Sequence, residues 1–249
     1  YDTEGTLVPK LATAWEVDAE EPSITWTLRE GVNFADGEPF NAEAVKRNIE
    51  EYQVNNRTEV ANIAECQVID DTHIKMVMAE PNSSTLESVG FFVFYVSPKA
   101  LDNADSLNDA TCGTGPFQLT EFENNAYAIY SKNENYWQEG LPYLDTVEIT
   151  VVTESSTGYT AFRANEYDMF WVGLTSPTIQ QELSSDSTFV KEDNRNGMGI
   201  ATLGLIPNSA IDSPWADAKV RRAMCYAIDC DALNAAFLMG AAELTDQWA

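Results

Sequence analysis

The stretch from Ile24 to Tyr52, ITWTLREGVNFADGEPFNAEAVKRNIEEY, holds three structural devices in a row. Ile24, Trp26 and Leu28 alternate with Thr25, Thr27 and Arg29, the period-2 pattern of a half-buried strand. Asp36-Gly37 and Pro39 then impose a tight reversal between two aromatic anchors, Phe34 and Phe40. Asn41 stands where a helix N-cap belongs, and Glu43 lies in the first turn, at the positive end of the helix dipole. Val45, Ile49 and Tyr52 follow at i, i+4 and i+7, which gives the helix one apolar face. Strand, pinned turn and capped helix set the frame for the rest.

Outward from this unit, Asn55 to Asn62 is polar and reads as loop. Cys66–Ile69 and Ile74–Met78 read as a hairpin turning at Asp70-Asp71-Thr72, with His73 opening its second strand. Ser83–Gly90 is expected as a short helix, and the apolar run Phe91–Val96 as a buried strand or core segment. Phe117–Phe122 and Ala126–Tyr130 pair around Glu123-Asn124-Asn125, and Val147–Val151 is a further strand. A helix over Ser155–Glu166 leads into an expected strand, Tyr167–Val172, an order that suggests an α/β lobe. Residues just past such strand ends line crevices in open α/β sheets, so Trp171, Gly173 and Thr175 are candidate ligand contacts. Ile200–Ile206 reads as a strand. Pro214–Asp229 reads as an amphipathic helix with Val220, Met224, Ala227 and Ile228 inward and a possible Asp217–Arg221 pair at i, i+4.

The totals exclude several classes of function. The 249 residues suffice for one large or two modest domains. Lys+Arg 14 against Asp+Glu 40 leaves a formal charge of −26, which argues against nucleic acid and anionic membrane surfaces as partners. A solvated acidic surface is the ordinary reading of that charge, and attraction of a cationic ligand the sharper one. No apolar run approaches the roughly 20 residues of a membrane span. The spacings of Cys66, Cys112, Cys225 and Cys230 fit no zinc or redox pattern, so the four are expected as small buried hydrophobes, with a Cys66–Cys112 disulfide left open. A lone histidine cannot assemble a multi-His metal site, so His73 is expected as a solvent-facing strand residue. Neither a metal site nor a cofactor is expected. The chain lacks G-x-S-x-G and H-E-x-x-H, and a hydrolase is the least favoured reading. Gly113-Thr114-Gly115-Pro116 is not followed by Gly-Lys-Ser/Thr and opens a strand, which excludes a phosphate-cradling loop.

Four motifs together resemble the family 5 extracellular solute-binding proteins, the peptide-, dipeptide- and nickel-binding receptors of ABC importers. Trp26 to Val45 is similar to the family's W-T-F-x-L-R-x-G-V-x-F-x-D-G-x-P-F-x-A-x-D-V, departing at Glu43-Ala44-Val45, where Glu-Asp-Val is usual. Gly113–Phe117 matches G-T-G-P-[FY], and Lys132–Trp137 matches R-N-x-x-Y-W. Pro214–Asp229 matches P-F-x-D-x-x-V-R-x-A-x-x-Y-A-I-D-R, with Cys230 where the family has a basic residue. Ala161–Asp168 resembles A-L-x-x-G-E-I-D with Asn165 in place of Gly, and LVPKLATAWEV is a family-like lead-in in which Pro9 and Trp15 dock a short element onto the sheet. Tyr136 and Trp137 read as structural anchors.

The resemblance implies an α/β fold, a type II periplasmic-binding-protein-like (cluster C) lobe plus a small α+β subdomain. It further implies an incomplete fragment, the N-terminal half, with the first strands and the second lobe absent. Residues 1–111 would form the small subdomain and 112–249 the partial first lobe, with the glycines of the G-T-G-P motif at the crossing. The implied function is capture of an extracellular solute, above all an oligopeptide or dipeptide, by the substrate-binding component of an ABC importer. An oligosaccharide or a metal chelate is the alternative ligand. The implied partner is a membrane permease, the implied location the periplasm or, as a lipoprotein, the outer face of the cell membrane, and the implied state a monomer. In the family the aromatic segment faces the ligand cleft, which nominates Phe92, Phe94 and Tyr95, and a polar residue after Y-L-x-F-N nominates Asn208.

Overall fold

The structure, a computed structural model, describes residues 6–103, 111–173, 176–191, 208, 210, 212–240 and 242. Backbone contacts divide the chain into two units, Val8–Val151 and a second formed by Tyr1–Leu7 with Val152–Ala249.

In the first unit, the alternation at Ile24, Trp26 and Leu28 becomes strand β2 (Ser23–Leu28), flanked by β1 (Ala12–Asp18) and by the hairpin β3 (Ile63–Asp70) and β4 (His73–Met78). All neighbours pair antiparallel, in the order β1-β2-β4-β3. The register sets Trp15 opposite Trp26, Trp26 opposite Ile74 and Ile24 opposite Met76, so these side chains share one face. Helix α1 (Ala42–Val54) packs against β3 and β4. Its cap is the expected one: Asn41 Oδ1 accepts from Ala44 N at 2.9 Å. Val45 and Ile49 are buried with Ile24, Trp26, Ile74 and Met76 in one core, and Tyr52 packs against it half-buried. Each fully buried Ile or Phe side chain contributes about 1.5–3 kcal/mol.

The turn before α1 closes through Phe34 N to Glu38 O (2.8 Å) and Gly37 N to Phe34 O (3.0 Å), with Gly37 at φ +87°, a conformation glycine adopts without Cβ strain. Its two aromatic anchors meet edge to face at 5.8 Å. At the same end of the sheet, Asp70 Oδ1 accepts from the backbone N–H groups of Thr72 and His73, each at 2.8 Å, and from His73 Nδ1 at 2.9 Å. The next two carbonyls of that turn bind the frame: Asp71 O accepts from Ala42 N and Thr72 O from Leu28 N. His73 opens β4 as expected, half-exposed.

The run Phe91–Val96 is not a strand. Helix α2 (Thr85–Glu87) passes into a π-turn at Ser88–Phe92, the chain then runs extended, and α3 (Pro98–Leu101) follows. Val93 alone of the run enters the core. The backbone finds its partners on α1 rather than on a neighbouring strand, which removes the need for a ladder.

A second sheet is formed by β5 (Phe117–Glu123), β6 (Tyr127–Lys132) and β7 (Thr146–Thr150), antiparallel in that order. Its hairpin turns at Asn125, φ +59°, as Glu123-Asn124-Asn125 suggested. Asn133 is buried and ties the K-N-E-N-Y-W motif to the G-T-G-P motif: its Nδ2 donates to Gly115 O at 2.9 Å and its Oδ1 accepts from Asn135 N at 3.0 Å. Trp137 carries the Arg29 guanidinium 4.5 Å over its ring and packs against the core of the first sheet. The expected boundary between residues 111 and 112 falls inside this unit, where Ser97 N donates to Cys112 O and Ala35 N to Gly113 O.

The second unit contributes helices α4 (Ser155–Arg163), α5 (Pro177–Ser185), α6 (Ala218–Ala227) and α7 (Cys230–Phe237). Asn165 lies at φ +60°, so the residue replacing the family's Gly is one that tolerates the left-handed region. The expected strand Tyr167–Val172 has no ladder partner among the described residues; the segment instead lays the Phe170 ring on Gly158 and stacks it on Phe162 at 5.8 Å. The expected strand Ile200–Ile206 lies outside the described residues. Helix α6 ends before Ile228, and Asp229 caps a separate helix through Ala232 N, which leaves Cys225 and Cys230 on different helices. Both are exposed rather than buried, and all four cysteines are free thiols. Burial pushes the Cys66 thiol up to about 12. Of the positions expected inward, Val220 and Met224 on α6 and Ile228 just past it are half-buried, but Ala227 is exposed. Arg221 does not pair with Asp217. Its Nη1 donates to the carbonyls of Trp215 (2.6 Å) and Ala216 (2.9 Å), while Asp217 caps the helix through Lys219 N.

Candidate ligand-binding site

The aromatic segment after the π-turn is held rigidly from behind. Phe94 N donates to Tyr52 Oη at 3.0 Å, Val96 N to Asn48 Oδ1 at 3.0 Å, and Asn48 Nδ2 to Val96 O at 2.8 Å. Asn48 is itself buried and also bonds Ala44 O, so it is fixed in one rotamer. Val93 inserts into the core just ahead of these pins, and the rings on either side of it are turned outward: Phe91, Phe92 and Phe94 are 39%, 53% and 74% exposed. Phe91 and Phe92 meet edge to face at 4.7 Å. Tyr95 turns its ring onto Phe40 at 5.9 Å, and burial raises its phenol above the usual range. Phe92 and Phe94 therefore present faces to solvent, while Tyr95 belongs to the wall behind them.

Asn48 and Tyr52, which position this segment, are not among the residues expected at the site. A signal was available in the sequence: Asn48 interrupts the apolar face between Val45 and Ile49, and a polar residue there must find buried partners. Arg57, 5.9 Å from the Tyr52 ring centroid, is paired with Glu59 at 2.6 Å.

The remaining candidates belong to the second unit. Trp171 is 91% exposed. The Gly173 carbonyl accepts from Ser176 N at 3.1 Å and from Gln180 Nε2 at 3.0 Å, which fixes the turn after Trp171. Thr175 lies outside the described residues. Asn208 is exposed, with its Oδ1 accepting from Ala210 N at 3.0 Å. The unit also carries an open hollow of about 440 Å³ lined by Tyr159, Arg163, Glu182 and Asp186. These groups pair with one another: Tyr159 Oη donates to Glu182 Oε2 at 2.7 Å, and Arg163 meets Asp186 at 3.3 Å. Among the described residues there is no group of three or more His, Cys, Asp or Glu that could hold a metal ion, and no helix is long and apolar enough to cross a membrane.

The scaffold is mixed α/β, and comparison with known proteins supplies the class. The chain belongs to the bacterial extracellular solute-binding proteins, family 5, whose profile (described as "family 5 Middle") matches residues 6–248. It is 28% identical to the nickel-binding periplasmic protein of Escherichia coli (strain K12), over 99% of this chain and 48% of that protein. It is 29% identical to the glutathione-binding protein GsiB of Salmonella typhi, over 90% of this chain and 44% of that protein. The chain thus spans about half the length of the curated relatives it matches. In structure it is similar to NikA from Brucella suis, solved in complex with Fe(III)-EDTA, with a TM-score of 0.70 and 27% identity over 96% of this chain and 49% of that one. The expected binding-protein fold is the one these comparisons return.

Proposed function

We propose that this chain is part of the substrate-binding component of an ABC importer and that Phe92 and Phe94, backed by Tyr95, contribute to the surface that receives the solute. One observation carries the reading: a rigid backbone, clamped by Asn48 and Tyr52, holds three phenylalanine rings of one short segment out of the core. Exposed aromatics fixed on a preorganised support are the composition of a recognition surface. Trp171, Gly173, Thr175 and Asn208 are the second set of candidate contacts. The ligand we favour is a short peptide. The relative that binds glutathione, itself a tripeptide, supports that choice, and the relative that binds nickel keeps a metal chelate as the second reading.

In this reading, residues 1–111 and 112–249 belong to a small subdomain and a first lobe, and closure of two lobes desolvates the ligand and presents a single shape to a membrane permease. The free energy for closure comes from contacts made only in the closed state. The protein acts as a monomer outside the cytoplasm, in the periplasm or lipid-anchored at the extracellular face of the cell membrane, and no catalytic role is assigned to it. Native mass spectrometry of the gently purified full-length protein tests the proposal. A ladder of co-purifying short peptides is the expected result. A hexose series or a metal chelate would replace the ligand class, and a bare protein whose melting is unmoved by peptides, sugars and chelates would overturn the reading.

A further inference from the structure

We infer that the aromatic segment selects for an uncharged, apolar side chain on the bound solute and rejects an anionic group at that position. The inference rests on the peptide-receptor reading above and adds the chemistry of one subsite. From Ser83 to Pro98 there is neither Lys nor Arg, and the only ionisable groups are Glu87 and the Tyr95 phenol. Arg57, the cation beside Tyr52, is already paired with Glu59. The segment therefore offers ring faces and edges but carries no cationic donor of its own. Placing a carboxylate against them strips its water without supplying a partner, which is costly, and the negative ring faces add repulsion. An aromatic or aliphatic side chain meets no such penalty and buries the rings it covers. Two of the segment's backbone donors, the Phe94 and Val96 N–H groups, are already committed to Tyr52 and Asn48. A lysine side chain would tolerate the ring faces, yet it gains less from burial than an apolar group.

Isothermal titration of the full-length protein with Ala-Phe-Ala, Ala-Lys-Ala and Ala-Glu-Ala, and with Fe(III)-EDTA, tests this. Ala-Phe-Ala is expected to bind about tenfold or more tightly than Ala-Glu-Ala, a gap of the size that burying one ring produces. Replacing Phe92 and Phe94 by Ala should collapse that preference with the melting temperature unchanged, since both rings lie outside the core. Equal affinity for Ala-Phe-Ala and either charged tripeptide overturns the selectivity and leaves the peptide receptor standing. A preference that survives in the double variant also overturns it, because another part of the protein would then be the selector. Binding of Fe(III)-EDTA with no tripeptide binding overturns the peptide reading and the selectivity together.

Discussion

The first unit contains two antiparallel sheets, each of which gathers apolar side chains on one face by register. In the four-stranded sheet that face holds Trp15, Ile24, Trp26, Ile74 and Met76, and α1 lies over its β3–β4 side; Ile24, Ile74 and Met76 are no more than 1% exposed. In the three-stranded sheet the pairs Phe117–Lys132, Leu119–Tyr130, Phe122–Ala128, Tyr130–Val147 and Ala128–Ile149 place Phe117, Leu119, Phe122, Ala128, Tyr130, Val147 and Ile149 together. Glu121, Glu123, Glu148 and Thr150 take the other side together with Tyr127 and Ile129, and Lys132, opposite Phe117, ends the apolar face. Phe122 joins the apolar face because Thr120 is extra in the ladder, between Leu119 opposite Tyr130 and Glu121 opposite Ile129; without that bulge, positions three apart would face opposite ways. Yet Phe122 and Ile149 remain 47% and 50% exposed. Alternation thus states a capacity to bury a face, and only a covering layer uses it.

Substitutions can break or sharpen this contrast. Phe34→Ala or Ile49→Ala, in the covered core, should each lower unfolding free energy by about 2–5 kcal/mol in chemical denaturation. Asn48→Ala leaves the Val96 N–H and C=O unpaired between the core and the aromatic segment, and should cost about 1–3 kcal/mol. It should also speed hydrogen exchange at the Val96 amide, and unchanged exchange would show that Asn48 does not hold the segment. Removing the cap of the covering helix with Asn41→Ala should cost about 1 kcal/mol. On the uncovered face, Phe122→Ala and Ile149→Ala should each cost under about 1 kcal/mol, as exposed positions do. A loss as large as that at Ile49 would mean that a layer covers this sheet in solution.

The smallest effect concerns pH at the β3–β4 turn. Hydrogen bonds, led by that from the His73 side chain and followed by that from the Thr72 backbone, hold the Asp70 carboxyl down from an ordinary 3.8 to about 2. A carboxylate with a depressed folded pKa contributes stability that is present above its unfolded value and lost as pH falls through the folded one. Acid titration should therefore loosen this turn between about pH 4 and 2, and Asp70→Asn should flatten that part of the profile.

Much of the frame was legible because its signals are local. The Asn41 cap, the Gly37 reversal and the period-2 run at Ile24–Leu28 each act within a few residues, and the motif matches extended that reading to the family. The segment Phe91–Val96 was not legible as it stands. Six apolar residues in a row state hydrophobicity without a direction, and the partners that turned them outward, Asn48 and Tyr52, lie over 40 residues away. The same holds for Tyr167–Val172, where a strand pattern yielded to the stacking of Phe170 on Phe162 and Gly158. Arg221 had an acid four residues before it and bound two carbonyls instead, because the turn ahead of α6 left those acceptors free.

By itself, the sequence determined the strand-turn-helix frame, the family and the absence of any cation in the aromatic segment, since each is written in residue type and short spacing. Only the tertiary structure decided which apolar faces are covered and which rings stand in solvent, because burial depends on what a distant part of the chain brings against a surface, and no local pattern carries that information.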